Sequence, residues 1–221
     1  MPQSSSPKLI GITGNIGSGK SLVCSFIQQA GFKLVPADDI AKAQLDDEDL
    51  QVHLAEVWGA ELIVDGRIDR NALADIVFTN PGKLAYLNSL IHPRVLEIFD
   101  RMVEVSHDDL LFFEIPLLFE AGLESCFDAI VLVTAPREQV IARLKKRDSS
   151  SPEQILARLK AQIPDIDKLD RVDYVLQNDS DPEALKVKTL SLLERLKTIA
   201  SRPKIGFIEA CYRHNLLHNN G

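Results

Sequence analysis

Gly14-Asn15-Ile16-Gly17-Ser18-Gly19-Lys20-Ser21 is the stretch in which residue type and spacing most directly imply chemistry. It matches G-x-x-x-x-G-K-[ST], follows an apolar strand-like run and opens a helical pattern. The glycines let the backbone wrap closely around an anion. Successive N–H groups and the helix N-terminus then point at it, and the Lys20 amine reaches the β and γ phosphates. Ser21 supplies a hydroxyl to Mg²⁺, and Leu22 follows it at the helix start. Residues 14–22 therefore read as an ATP-binding segment, with an empty glycine-rich turn as the weaker alternative.

Neither D-x-x-G nor N-K-x-D occurs, which sets aside a GTPase. A small-molecule kinase instead needs a carboxylate for the acceptor hydroxyl and arginines that close over the transferred phosphoryl group. Asp38, in Pro36-Ala37-Asp38-Asp39-Ile40-Ala41, is placed at the end of the second strand-like run, where ligands sit in open α/β sheets. It reads as an orienting or proton-accepting carboxylate or, equally on spacing, as part of a helix start. Gln139, Arg143 and Arg147 recur every four residues on one helical face, while Val140, Ile141 and Leu144 occupy another. Such a helix packs on one side and offers cations on the other, in a phosphate-clamping lid or in a solvated face. Glu114 closes the run Leu110-Leu111-Phe112-Phe113 and is placed either for Mg²⁺ or as an ordinary strand-end carboxylate.

These residues require particular elements to carry them. Strand-like runs at 8–13, 33–35, 110–115, 128–134 and 173–176 are mostly continuously apolar, as in a parallel sheet covered on both faces. Helical patterns fall at 21–30, 48–57, 70–78, 84–105, 137–147, 152–162 and 182–199. The expected fold is α/β, a doubly wound parallel sheet. Residues 38–109 form a helical insert too long for a simple crossover. Residues 137–163 form the lid region, with a capping-box start at Ser151-Pro152-Glu153-Gln154, and Asp181-Pro182-Glu183 opens the last long helix.

The 221 residues suit one domain with an insert. Thirty-two acidic against 25 basic residues give a net charge of −7, which disfavours a general nucleic-acid surface and leaves phosphate binding to local charge. Cys24, Cys126 and Cys211 make no disulfide framework, which suggests a reducing, cytoplasmic setting, and no apolar run approaches a membrane span.

Taken in order, the motifs resemble the dephospho-CoA kinase family from about Lys8 to Leu196. The resemblance rests on Ile10-Gly11-Ile12-Thr13 with the phosphate loop, Ala37-Asp38 before Ile40-Ala41, and Asp65-Gly66-Arg67-Ile68-Asp69-Arg70 with Leu73 and Val77-Phe78. It continues through Leu90-Ile91-His92-Pro93, Pro116-Leu117-Leu118-Phe119-Glu120, Gln139 with Arg143, Arg147 and Asp148, Gln162, and Asn178. It implies transfer of a phosphoryl group from MgATP to the ribose 3′-hydroxyl of dephospho-CoA, with a nucleotide core of P-loop NTPase type, a helical CoA domain and a lid. On that resemblance Lys20 and the loop hold ATP, Asp38 resembles the base, and Asn178 lies near adenine. Arg70, His92, Pro93, Pro116 and Leu117 shape the acceptor side, and Arg143 and Arg147 clamp phosphates. His92, before a proline, serves backbone groups freed by that proline or the substrate.

Three positions depart from the family pattern. Pro36 replaces an Asp, Leu22 replaces a Thr, and Asn15 replaces a glycine, where Asn's tolerance of positive φ would keep the loop's shape. Lower activity is expected, and Pro36→Asp would raise it. The alternatives are a P-loop kinase for another small acceptor and a nucleotide-sensing module without transfer. Residues 201–221 lie beyond the resemblance. Cys211, His214 and His218 there are an incomplete zinc set, so the tail reads as a loose terminal helix.

Overall fold

The computed structural model describes residues 6–148 and 152–218, without the side chains of Asp148, Pro152 and residues 216–218. In chain order the elements are β1 (Lys8–Thr13), α1 (Lys20–Gln29), β2 (Lys33–Pro36), α2 (Ala37–Gln44), α3 (Glu48–Trp58), β3 (Ile63–Val64), β4 (Arg67–Ile68), α4 (Arg70–Phe78) and α5 (Pro81–Glu104). They continue with β5 (Leu110–Glu114), β6 (Ala129–Thr134), α6 (Arg137–Asp148), α7 (Pro152–Lys160), β7 (Tyr174–Gln177), α8 (Pro182–Lys197) and α9 (Phe207–His218). Ser151, expected to cap α7, lies outside the described residues. The chain divides into two compact units, 1–36 with 102–221, and 37–101.

The first unit is built on a parallel sheet in the order β2-β5-β1-β6-β7. β1 runs through its centre because Leu9, Ile10 and Ile12 are all buried and need cover on both sides. On one face Ile10, Ile12, Phe112, Val131 and Val133 pack with Val23 and Ile27 of α1 and Leu185, Leu192 and Leu196 of α8. Pro36 ends β2, the edge strand, where proline is tolerated, and stands in register with Glu114.

The opposite face is covered in part by the tail, which is not loose. Phe207 and Ala210 are buried, and the Phe207 ring lies 5.0 Å from Phe113 and 5.5 Å from Phe127. Buried Asp128 accepts from the Leu9 and Arg202 N–H groups at 2.7 Å each and pairs with Lys204. Arg202 pairs with Asp173. Apolar burial and these charge pairs hold the segment, so a terminal position did not leave it free. The His218 side chain falls outside the described residues, and no group of three metal-ligating side chains exists among those described.

The second unit holds α2 to α4, most of α5, and a β3–β4 hairpin. The hairpin turns at Asp65-Gly66, with φ of 51° and 74°, the left-handed pair that Asp-Gly favours. Asp47 caps α3 through the Leu50 N–H, and Asp69 caps α4 through those of Asn71 and Ala72. Helix α5 continues through Pro93 without interruption, although proline cannot donate the bond an interior position normally makes.

Candidate active site

The phosphate loop runs from the end of β1 to Lys20, the first residue of α1. Gly17 and Gly19 take φ of 79° and 96°. A Cβ at Gly17 would fall 2.9 Å from Val140 Cγ1, and one at Gly19 would fall 2.0 Å from Asn178 Nδ2. Conformation and crowding thus both demand glycine there. No side chain caps the N-terminus of α1. Lys20 Nζ donates to the Gly14 carbonyl at 3.1 Å, folding the amine over the loop. Ser21 is exposed at the start of the helix, and buried Ser18 Oγ has no hydrogen-bond partner among the described residues. An uncapped helix start, an ammonium and a serine hydroxyl in one turn fit a triphosphate and its Mg²⁺.

The outside of the loop is braced by groups that the sequence assigns to ligands. Arg143 donates from Nη1 to the Gly17 and Ser18 carbonyls at 3.3 Å each. From Nη2 it donates to Gln139 Oε1 at 2.9 Å and to both oxygens of Asn178 at 3.3 Å. Buried Asn178 donates to the Ser18 carbonyl at 2.8 Å. These bonds engage the Gly17 and Ser18 carbonyls, while the Ser18 N–H donates to the Asn15 carbonyl at 3.1 Å. Arg147 is exposed one turn further along α6. Val140 and Leu144 pack with Ile155 of α7 and with Ile16, as the helical periodicity predicts. A cavity of about 430 Å³ opens beside Asn15, Ile16 and Ser18, lined also by Arg137, Lys160 and Asp165.

Asn15 corrects one expectation. Among the described residues Asp65 is the only non-glycine at positive φ, so Asn15 keeps its place by side-chain bonds and not by a left-handed backbone. Its Oδ1 accepts from Lys168 Nζ at 2.7 Å, and its Nδ2 donates to the Ile163 carbonyl at 3.2 Å. The Ile16 N–H donates to Gln162 Oε1 at 2.8 Å. Lys168, absent from the expected set, is fully buried; a buried lysine pattern is not distinguishable from a surface one in sequence.

The turn after β5 is anchored by Thr13, whose hydroxyl donates to the Pro116 carbonyl at 3.1 Å; Leu117 is exposed. Glu114 is half-buried at the β5 end. Burial, with Glu114 nearby, pushes the Cys24 thiol far up, which makes it no nucleophile.

In the second unit, Asp38 is exposed in the first turn of α2, two residues past the end of β2. Asp39 pairs with Lys42 at 3.3 Å. Arg70 starts α4 and reaches the Lys42 carbonyl at 3.4 Å and Asp46 at 3.5 Å. His92 and Pro93 are exposed midway along α5.

The family model for dephospho-CoA kinase matches residues 8–183. A dephospho-CoA kinase of Leptospira interrogans is 38% identical over 191 residues, covering 85% of this chain and 92% of its own. A crystal structure of a Thermus thermophilus protein superposes with a TM-score of 0.75 at 38% identity, covering 87% of this chain and 99% of its own. The dephospho-CoA kinase from Campylobacter jejuni superposes at 0.62 with 26% identity, covering 87% and 98%.

Proposed function

The chain belongs to the dephospho-CoA kinase family, and we infer that it transfers the γ-phosphoryl group of ATP to the ribose 3′-hydroxyl of dephospho-CoA, giving CoA and ADP in the last step of coenzyme A biosynthesis. The observation that carries this reading is a family match spanning residues 8–183, a range that includes the phosphate loop, the 37–101 unit and Asn178.

The loop N–H groups and Lys20 bind the β and γ phosphates and neutralise charge as it shifts toward the leaving oxygen. Ser21 would hold Mg²⁺, which when bound screens the phosphate oxygens from the incoming hydroxyl. Arg143 holds the loop's carbonyls outward, and Arg147 serves the transferred phosphate from α6. Asn178 borders the adenine. The 37–101 unit, with Arg70, His92 and Pro93, receives dephospho-CoA, and the Pro116-Leu117 turn limits its reach. Asp38 orients the 3′-hydroxyl and accepts its proton. What supports this role is that β2 is parallel to β1, so the ends leading to Asp38 and to the phosphate loop leave the sheet on the same edge.

The test is CoA formation from MgATP and dephospho-CoA, followed by mass spectrometry, with Lys20→Ala as control. The parent should make CoA, and the variant should lose about 10²-fold or more in turnover at unchanged melting temperature. Saturable ATP binding without CoA would redirect the reading to another acceptor or to a nucleotide sensor.

A further inference from the structure

The segment that follows α7 is fastened by three hydrogen bonds to the phosphate loop and by a fourth to Glu120, in the turn after β5. Lys168 Nζ donates to Asn15 Oδ1 at 2.7 Å, and Asn15 Nδ2 donates to the Ile163 carbonyl at 3.2 Å. The Ile16 N–H donates to Gln162 Oε1 at 2.8 Å, and the Ile163 N–H donates to Glu120 Oε1 at 3.1 Å. Lys168 has 0% of its side chain exposed, stands 3.9 Å from Glu120 Oε1, and lies over the Phe119 ring at 5.9 Å. A buried ammonium is costly unless each of its neighbours compensates. Asn15 is the neighbour within hydrogen-bond distance, and Glu120 is the nearest carboxylate. Burial, with Lys20 and Arg171 nearby, lowers the Lys168 pKa, and Glu120 and Asp165 offset this only in part.

We propose that Lys168 and Asn15 are a positioning pair for phosphoryl transfer, in which the buried ammonium holds the Asn15 side chain and so fixes the entry turn of the phosphate loop against residues 162–168. The inference rests on reading that loop as the ATP site. Lys168 meets the loop at Asn15, three residues before Ser18, and its hydrogen bond goes to a side chain and not to the loop backbone. The pair acts through loop shape: a glycine at position 15 would remove both the Lys168 acceptor and the donor to Ile163. This accounts for a departure that backbone conformation does not explain, since Asn15 has no positive φ. A purely structural ion pair would alter stability while affecting both substrates alike. A positioning pair affects ATP selectively.

The experiment is steady-state kinetics for Lys168→Met, Asn15→Gly and the double variant, each substrate varied in turn. Each single change should lower kcat/KM for ATP about tenfold, the scale of one charge-assisted bond, with KM for dephospho-CoA unchanged. The double variant should be no worse than the more damaging single one, because both changes break the same bond. Parental kcat/KM for ATP in either single variant, multiplied losses in the double, or equal losses toward both substrates would overturn the proposal. Should Lys168→Met fail to fold, Asn15→Gly decides alone: it should show the same ATP-selective loss and faster amide hydrogen exchange across residues 162–168. Unchanged exchange and kinetics there would refute the pair. If the parent makes no CoA, the functional reading fails separately. The exchange measurement and ATP binding by Asn15→Gly then judge the pair without turnover.

Discussion

Arg143 and Asn178 both engage the phosphate loop through its carbonyls. Arg143 carries its donors in a fixed fork, and here its two terminal nitrogens donate to four protein oxygens around the loop and one on α6. Lysine, a single point donor, could not span Gly17, Ser18 and Asn178 together. Asp38 differs: it is exposed, so its replacement should leave the fold intact. Asp38→Asn keeps shape and polarity but removes the carboxylate proposed to accept the proton. It should lower kcat by about 10²-fold or more with KM for ATP unchanged, read from initial rates with each substrate varied.

At the scale of elements, helix starts do much of the placing. Asp181 Oδ1 accepts from the Glu183 and Ala184 N–H groups at 2.9 and 3.0 Å, fixing where α8 leaves the strand that ends beside Asn178. The Ala184 N–H, with that of Glu183, holds the Asp181 carboxyl below the usual carboxylate range. A lowered folded pKa contributes stability that is complete above the ordinary value, about 4, and is lost as pH falls through the lowered one. Asp181→Asn retains the acceptor without the titration, so melting temperature should fall less steeply than in the parent as pH drops from about 5 to about 2. Thermal melts across that range, showing the same slope for both proteins, would contradict it. The strand ends, the helix spans and this cap were legible because each is a local preference of a few adjacent residues. The hairpin at Asp65-Gly66 was not read from the sequence, because the region around it patterns as helical.

At the scale of the molecule, the C-terminal segment beyond the family match is part of the core of the first unit. Phe207 packs against both Phe113 and Phe127, and the strap before it neutralises Asp128 and Asp173 at the sheet. Phe207→Ala should cost about 3–5 kcal/mol, the scale for emptying a buried aromatic site. Chemical denaturation should show the loss while KM for ATP stays as in the parent. An unchanged midpoint would show the tail to be dispensable. No helix among the described residues is long and apolar enough to cross a membrane.

The sequence by itself determined the phosphate loop, the parallel α/β order of elements and the family, because glycine spacing, apolar runs and motif order are properties of neighbouring residues along the chain. It also marked which face of α6 packs, since Val140, Ile141 and Leu144 recur at helical spacing. Tertiary structure alone decided what those residues touch. Arg143 could have been a solvated cation, Asn15 a strained loop residue, Lys168 a surface lysine and residues 201–218 a loose end. Each is settled by partners tens to more than a hundred positions away, Gly17 for Arg143, Lys168 for Asn15 and Phe113 for Phe207. No local pattern encodes such pairings, because the burial and desolvation that make them favourable exist only once the sheet has brought the segments together.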